Sequence, residues 1–317
     1  MQHPWLEARV ARKRVEAEGI VSLALEAADG PALPAFEAGA HVDVEIRPGL
    51  VRQYSLCNAP RSGSRYVIAV LREPASRGGS AALHDDFHEG DRLRIGAPRN
   101  LFALAAGASP ALLVAGGIGV TPLLAMAEEL LARGADFELH YCARSWARAA
   151  FRERLAEPDM AGRTVFHVDG DDATRAFDPA AAVRKLSADS HVYVCGPAGF
   201  IEWIVGRMLQ AGWPAERLHR EYFQAVPGDV NGDTAFEVRI ASTGQVVAVP
   251  PGRSVAAALA DAGIEVALSC DQGVCGTCIT RVLAGTPDHR DQLGLGGNDR
   301  FTPCCSRSAT PLLVLDI

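Results

Sequence analysis

The 317-residue sequence contains no apolar run approaching the roughly 18 to 20 residues that cross a bilayer. Its start, MQHPWLEARVARKRVEAEG, has none of the apolar stretch of a secretory signal. A soluble protein of the cytoplasm is therefore expected, with no membrane partner. A basic excess is absent too. The net charge of -7 argues against a nucleic-acid partner, because binding to a phosphate backbone leaves a basic footprint. There is no internal repeat and no low-complexity tract. The disulfide framework of a small secreted domain does not fit a chain of this size without an export signal, so the eight cysteines are read as thiols of a reducing compartment. What is present is ordinary globular composition, 48% hydrophobic and 22% charged, in a chain long enough for two or three cores.

The first hundred residues read as strands. AHVDVEI (40 to 46) and RYVIAVL (65 to 71) alternate or run apolar, broken by turn residues at Arg47-Pro48-Gly49 and Arg61-Ser62-Gly63. An antiparallel barrel or sandwich is expected. From Pro110 the pattern changes to strand (ALLVA, 111 to 115), glycine loop, helix (LLAMAEELLARG, stopped by Gly134) and strand (DFELHYC, 136 to 142), the signature of a parallel sheet. A further strand, HVYVC (191 to 195), runs at once into GPAGF. QAVPGDVNGDT (224 to 234) reads as a linker. Beyond it come a hairpin around Ser242-Thr243-Gly244, a short helix capped by Ser254 and ended by Gly263, and a closing strand LLVLDI. Three domains are expected: residues 1–104, 105–226 and 227–317.

The strongest local signal is SCDQGVCGTC, which spaces Cys270, Cys275 and Cys278 as C-x4-C-x2-C, a spacing known for plant-type 2Fe-2S ferredoxins. Gly273 and Gly276 let backbone N–H groups turn toward the sulfur atoms. A 2Fe-2S centre takes four thiolates, and Cys304 or its neighbour Cys305 is able to return the fourth. Structural zinc also takes four cysteines, but zinc modules more often pair two C-x2-C knuckles, and a single one is present. Cys57 and Cys142 read as small buried hydrophobes.

Two further stretches point to nucleotide-like ligands. Arg52, Tyr54, Ser55 and Leu56 place a fixed cation, an aromatic ring and a hydroxyl on one strand, as a phosphorylated flavin requires, though such residues also occur on ordinary edge strands. Arg77-Gly78-Gly79-Ser80 then opens AALHDDFHEGD, a probable-helix pattern whose first N–H groups suit a phosphate. Gly116-Gly117-Ile118-Gly119-Val120-Thr121-Pro122 joins a buried strand to a helix, where glycine admits a pyrophosphate or ribose and Pro122 suits the first turn. It is not the G-x-G-x-x-G fingerprint. Asp169, Asp171 and Asp172 read as a solvated acidic loop.

SCDQGVCGTC, TPDHRD, CCSR and LVLDI resemble the ferredoxin domain of the phthalate dioxygenase reductase and vanillate O-demethylase reductase family. The resemblance implies that Cys304 is the fourth ligand, beside Cys270, Cys275 and Cys278. The loop from Cys278 to Cys304 is about four residues shorter than is usual in the family, a change of the kind surface loops tolerate. In the same family R-x-Y-S-L meets the flavin and G-G-S cradles its phosphate. This assigns Arg52 and Ser80, with Gly78 and Gly79, to the phosphate, and Tyr54 and Ser55 to the ring, with Leu56 completing the cofactor-binding motif; the implied flavin is FMN. GGIGVTP, CGPAGF and HREYF resemble, in order, the nicotinamide domain of ferredoxin-NADP reductase-like proteins. Gly116, Gly117, Gly119, Thr121 and Pro122 are then implied to hold the dinucleotide. Cys195, Gly196 and Pro197 would lie beside the nicotinamide, and Phe223 near the reacting rings with Glu221 close by. NADH is the implied donor, although the arginines of ARSWARAAFRER are candidates for meeting a 2'-phosphate.

The implied fold is multidomain: an antiparallel β-barrel flavin domain, an α/β parallel-sheet nicotinamide domain and an α+β β-grasp 2Fe-2S ferredoxin domain. A hydride carries two electrons and a 2Fe-2S cluster accepts one, so a flavin between them accounts for the whole chain. The implied acceptor is the terminal Rieske-type oxygenase of a two-component system, met by a monomeric reductase. Residues 232 to 317 hold nine acidic side chains against six arginines and no lysine, which suits a partly basic acceptor patch. Two other readings compete: a free-standing NADH:flavin or ferric reductase, and a redox-sensing iron-sulfur module.

Overall fold

The computed structural model describes residues 5–60, 65–74, 78–107, 110–168, 176–224 and 232–317. Arg61-Ser62-Gly63, Arg77, the acidic loop of Asp169, Asp171 and Asp172, and most of the linker at 224 to 234 lie outside the described residues. The chain divides into two compact units, one ending at Tyr222 and the other running from Phe223 to Ile317.

The first unit opens with β1 (Trp5–Ala17), β2 (Ile20–Ala27), β3 (Ala40–Arg47), β4 (Leu50–Ser55) and β5 (Tyr66–Leu71). Helix α1 (Gly79–Asp85) and strands β6 (Arg92–Gly96) and β7 (Arg99–Asn100) follow. The strands form one antiparallel sheet in the order β4-β3-β6-β1-β2-β5, with β7 paired to β3. Leu56, just past β4, bridges Ile68 of β5 and closes that sheet into a barrel. The β3–β4 hairpin turns on Pro48-Gly49, where Gly49 has a φ of 78° that other residues adopt at a cost. Val10, Leu23, Leu25, Val42, Val44, Leu56, Ile68 and Ile95 fill the barrel. Helix α1 stops at Asp85, shorter than the sequence pattern suggests. Asp91 Oδ2 accepts from the His88 amide at 2.7 Å, and this local bond competes with a further helical turn.

The same unit continues as β8 (Ala111–Gly116), α2 (Val120–Ala132), β9 (Phe137–Ala143), α3 (Arg152–Leu155) and α4 (Pro158–Ala161). It ends with β10 (Thr164–Val168), α5 (Pro179–Val183), β11 (His191–Gly196), α6 (Ala198–Gln210) and β12 (Leu218–Tyr222). These strands form a parallel sheet, β10-β9-β8-β11-β12. All of β8 is buried, as expected for a central parallel strand. On β9 the burial alternates instead, one face being only partly covered. This leaves Cys142 half-buried, a correction to the buried thiol expected; Cys57 is buried. Barrel and parallel sheet meet where Tyr193 Oη accepts from the Ala105 amide at 2.8 Å and where the Phe102 and Tyr193 rings pack edge to face.

The second unit holds β13 (Phe236–Ile240), β14 (Val246–Val249), α7 (Val255–Asp261), β15 (Thr280–Ala284), β16 (Pro287–Asp288), β17 (Arg300–Phe301), β18 (Arg307–Ser308) and β19 (Leu312–Leu315). The sheet order is β14-β13-β19-β15-β17, with β13 parallel to β19 and its other pairs antiparallel; β16 and β18 pair separately. On β13 every second residue is buried, and Val255, Ala258 and Leu259 of α7 cover that face. Ser254 caps α7 by accepting from the Ala257 amide. The Ala256 amide donates to Pro303 O, which ties this helix to the segment carrying Cys304. Among the described residues no helix is long and apolar enough to cross a membrane.

Candidate active site and cluster site

In the parallel sheet the connection from β8 runs through α2 to β9 on one side, while β11 lies on the other. The strand order thus reverses between β8 and β11, and in open α/β sheets ligands bind outside the carboxyl ends of strands at such a point. Both glycine motifs sit there. Gly116, Gly117 and Gly119 follow β8, while Cys195 and Gly196 end β11, with Pro197 capping α6. Three of the glycines have no room for a side chain. A Cβ on Gly119 would collide with the Cys195 carbonyl, and one on Gly116 or on Gly196 would stand 2.8 or 2.9 Å from the Phe200 ring. Phe200 was not singled out from the sequence, yet its ring is the floor on which the two loops close. Thr121 is buried and donates to Ile118 O at 3.0 Å, which holds the loop against the first turn of α2 where Pro122 lies.

Glu221 on β12 pairs in register with Cys195 on β11. Its carboxyl is enclosed, and Ser55 Oγ of the barrel donates to Glu221 Oε2 at 3.4 Å. Burial pushes the Glu221 pKa up to about 8, with the Ser55 hydrogen bond working the other way. Burial also raises the Cys195 thiol well above its usual range, and the nearby Glu221 adds to this. Ser55, Cys195 and Glu221, distant in the chain, are therefore one cluster. Phe223, one residue past β12, is half-buried and belongs to the other compact unit.

The barrel residues gather near α1. Arg52 lies across Gly79, its Cγ 3.0 Å and its Nε 3.4 Å from the place a Cβ would occupy, and its Nη1 donates to Val51 O. A side chain at 79 would crowd Arg52 where it lies along the start of α1. Gly78 has a left-handed φ of 91°, and buried Ser80 accepts from the Glu73 amide at 3.1 Å through Oγ. Tyr54 stands half-buried beside Arg52, its phenol pKa raised by burial and drawn back by the Arg52 charge. The Leu56 side chain, by contrast, is fully buried in the barrel core. Gln53, which the sequence reading passed over, donates to Asp43 Oδ1 at 2.7 Å. Arg99 holds the same carboxylate from the other side, and together they brace the strand that carries Arg52 and Tyr54.

The arginines after β9 are partly engaged. Arg154 is held by Glu128, Glu157 and Asp159, and Arg148 pairs with Glu18, whereas Arg144 remains exposed.

In the second unit Cys270, Cys275, Cys278 and Cys304 are all buried and face one another. Cys278 Sγ lies 3.3 Å from Cys304 Sγ. Among the described residues no three His, Cys, Asp or Glu side chains close around a point as ligands of a single ion do; the four thiols are instead linked in a row, Cys275 to Cys270 to Cys304 to Cys278. Two of them are pushed toward thiolate by their neighbours: Cys270 by Cys275 and Cys304, and Cys278 by Cys304. Their partners Cys275 and Cys304 move the opposite way.

Backbone N–H groups support the anionic form. The Gln272 amide donates to Cys270 Sγ at 3.3 Å, the Val274 amide also reaches Cys270, and the Thr277 amide reaches Cys275. Gly273 and Gly276, each with φ near 70°, make the reversals that aim Val274 and Thr277 inward. A buried set of thiols with inward amide donors fits a thiolate-held iron-sulfur cluster. Cys305 adjoins the set, its thiol in contact with Cys304 and also with Thr302 Oγ1.

Residues 238–309 match the family described as 2Fe-2S iron-sulfur cluster binding domain, and residues 113–205 match the oxidoreductase NAD-binding domain. Fold and site thus define an NAD-dependent oxidoreductase with an antiparallel barrel, a ferredoxin reductase-like nicotinamide domain and a C-terminal 2Fe-2S domain. The chain is 53% identical to a vanillate O-demethylase oxidoreductase of Pseudomonas putida, covering 98% of this chain and 100% of that protein. The solved structure of phthalate dioxygenase reductase, a modular structure for electron transfer from pyridine nucleotides to [2Fe-2S], matches at 37% identity and a TM-score of 0.73, with 99% of this chain and 98% of that one covered. An intact type IV self-sufficient cytochrome P450 monooxygenase matches 99% of this chain with 41% of its own, at 33% identity and a TM-score of 0.88. The chain belongs to the phthalate dioxygenase reductase and vanillate O-demethylase reductase family.

Proposed function

We propose that the chain is the reductase component of a two-component oxygenase, a cytoplasmic monomer that carries electrons from NADH through FMN and the 2Fe-2S cluster to a terminal oxygenase of Rieske type. The observation that carries the reading is the cysteine cradle on the same chain as the glycine-lined cleft. A site for a two-electron donor and a site for a one-electron centre need a converter between them, and bound FMN supplies it by taking electrons as a pair and releasing them singly. In this reading the three modules are residues 1–104, 105–226 and 227–317.

The work of the chain's own residues follows from their chemistry. Arg52, with Gly78, Gly79 and Ser80, holds the FMN phosphate, and Tyr54 and Ser55 line the ring, while Leu56 anchors their strand in the barrel core. Gly116, Gly117 and Gly119 let the backbone approach the pyrophosphate, and Thr121 and Pro122 fix the loop that does so. Cys195, Gly196 and Pro197 form the surface against which the nicotinamide lies, and the Phe200 floor keeps that surface closed. Below a pH of about 8 the Glu221 carboxyl holds a proton, and Ser55 Oγ, donating to its Oε2, ties that carboxyl to the barrel side of the cleft. Cys270, Cys275, Cys278 and Cys304 hold the cluster, with the amides of Gln272, Val274 and Thr277 tuning it.

The test is the visible spectrum of the purified chain, titrated with NADH and then mixed with an oxygenase. Overlapping flavin and iron-sulfur bands are expected to fade under NADH within turnover time and to return on adding oxygenase and its substrate. A colourless zinc protein ends the reading. A cluster that NADH does not bleach within turnover favours a free-standing flavin reductase, and one that is reduced slowly with a change in partner affinity favours a sensor. The likeness to the P450 monooxygenase supports one second reading, a haem oxygenase as acceptor; the same mixing experiment separates the two by which acceptor restores the colour.

A further inference from the structure

The stretch between Cys278 and Cys304 carries a polar network that the electron path above does not use. At its centre is Asp291, whose side chain is 1% exposed. Asp291 Oδ1 accepts from the Leu293 amide at 2.9 Å, and Oδ2 accepts from Thr302 Oγ1 at 3.2 Å. Thr302 Oγ1 is also 2.6 Å from Ser306 Oγ and 3.4 Å from Cys305 Sγ, so it grips the residues that flank Cys304 on its C-terminal side.

The other side of Asp291 meets the first cysteine loop. The neighbouring Gln292 amide donates to Gly273 O at 2.9 Å, and a Cβ on Gly273 would stand 3.0 Å from Asp291 Cα and collide with Cys305 Sγ. Gly273 lies between Cys270 and Cys275. Asp291 thus stands where the loop of three cysteines touches the loop of the fourth. His289 Nε2 donates to Gly297 O at 2.8 Å, and its Nδ1 lies 3.6 Å from Asp291 Oδ2.

We infer that Asp291 is a positioning residue that clamps the two cysteine loops together and whose charge sets the reduction potential of the cluster they hold. The inference rests on the reading of Cys270, Cys275, Cys278 and Cys304 as the ligands. Reducing the cluster adds one negative charge, and a carboxylate fixed nearby, away from solvent, opposes that addition more strongly than an exposed one. A clamp made by hydrogen bonds also slows the opening through which a cluster is lost.

Asp291→Asn keeps the size of the side chain and removes the charge. In the full, cofactor-loaded chain, a redox titration followed by absorbance and electron paramagnetic resonance is expected to show the reduced-to-oxidised ratio at a given potential rising about tenfold, about 59 mV for a one-electron couple. Thr302→Val cuts the clamp but keeps the charge. It is expected to release iron to a chelator several-fold faster while the ratio stays within about twofold of the parent. The inference is overturned by an Asp291→Asn variant that holds its cluster at the parent potential, or by a Thr302→Val variant that loses iron no faster than the parent. If Asp291→Asn assembles no cluster, the chelator experiment on Thr302→Val decides alone. A parent chain that itself loads no cluster overturns the ligand reading instead, which keeps the two failures apart.

Discussion

The cysteine cradle and the glycine cleft are built by opposite means. In the cradle, function lies in atoms that are present: three thiols in one loop and a fourth returned by Cys304, with inward amides around them. In the cleft much of it lies in atoms that are missing, because Gly116, Gly119 and Gly196 leave out side chains that would strike Phe200 or the Cys195 carbonyl. The first kind of site is written in residue identity and local spacing. The second depends on which strands the topology brings side by side, so its reasons appear only after folding.

The sharpest way to break the comparison is to remove one thiol. Cys275→Ser is expected to lose the cluster absorbance and to drop electron delivery to the oxygenase to background, while NADH oxidation by ferricyanide, which accepts electrons from flavin directly, stays near the parent rate. Equal loss of both activities would mean that the two sites are not separable. Next in size is Gly119→Ala. The added methyl must displace the end of β11, and overpacking of this kind costs about 1–3 kcal/mol. A fall in thermal midpoint of several degrees and a KM for NADH raised about tenfold are expected, with the cluster spectrum intact. Unchanged KM and midpoint would show that the β8 and β11 loops do not close on one another.

The smallest effect concerns Glu221, whose pKa is raised from 4.5 to about 8 by burial. Between those values the folded chain holds a proton that the unfolded chain has released. The contribution to stability is therefore complete on the acid side and is lost as pH rises through about 8. Glu221→Gln is expected to lack that slope, so the gap between the parent and variant unfolding midpoints should change from acid pH up to about 8 and then level off. The parent's pH profile for NADH oxidation should carry a transition near 8 that the variant lacks. Parallel curves in both measurements would show that Glu221 does not hold a proton below about 8.

Much of the architecture was legible in the sequence. Alternating apolar residues at 40 to 46 mark β3, and the change of period after Pro110 marks the parallel sheet. Ser254 and Gly263 delimit α7 because a cap and a left-handed stop are local requirements. Other features were not legible, each for a non-local reason. The helix after Gly79 ended early because Asp91 found the His88 amide. Cys142 came out half-buried because it falls on the partly covered face of β9, which depends on what packs there and not on the strand itself. Phe200, Gln53 and Asp291 lie inside the quoted motifs without a role legible from them, and each acquires its role from a partner on another strand or loop.

Sequence alone determined the ligand-capable thiols, the glycine turns and the order of modules, since each rests on chemistry confined to a few neighbouring residues. The tertiary structure decided that Ser55 and Glu221, 166 positions apart, share a hydrogen bond, and that Asp291 lies between the two cysteine loops. Such contacts follow from strand order and loop packing, and those are properties of the whole chain's burial of apolar surface and not of any short segment.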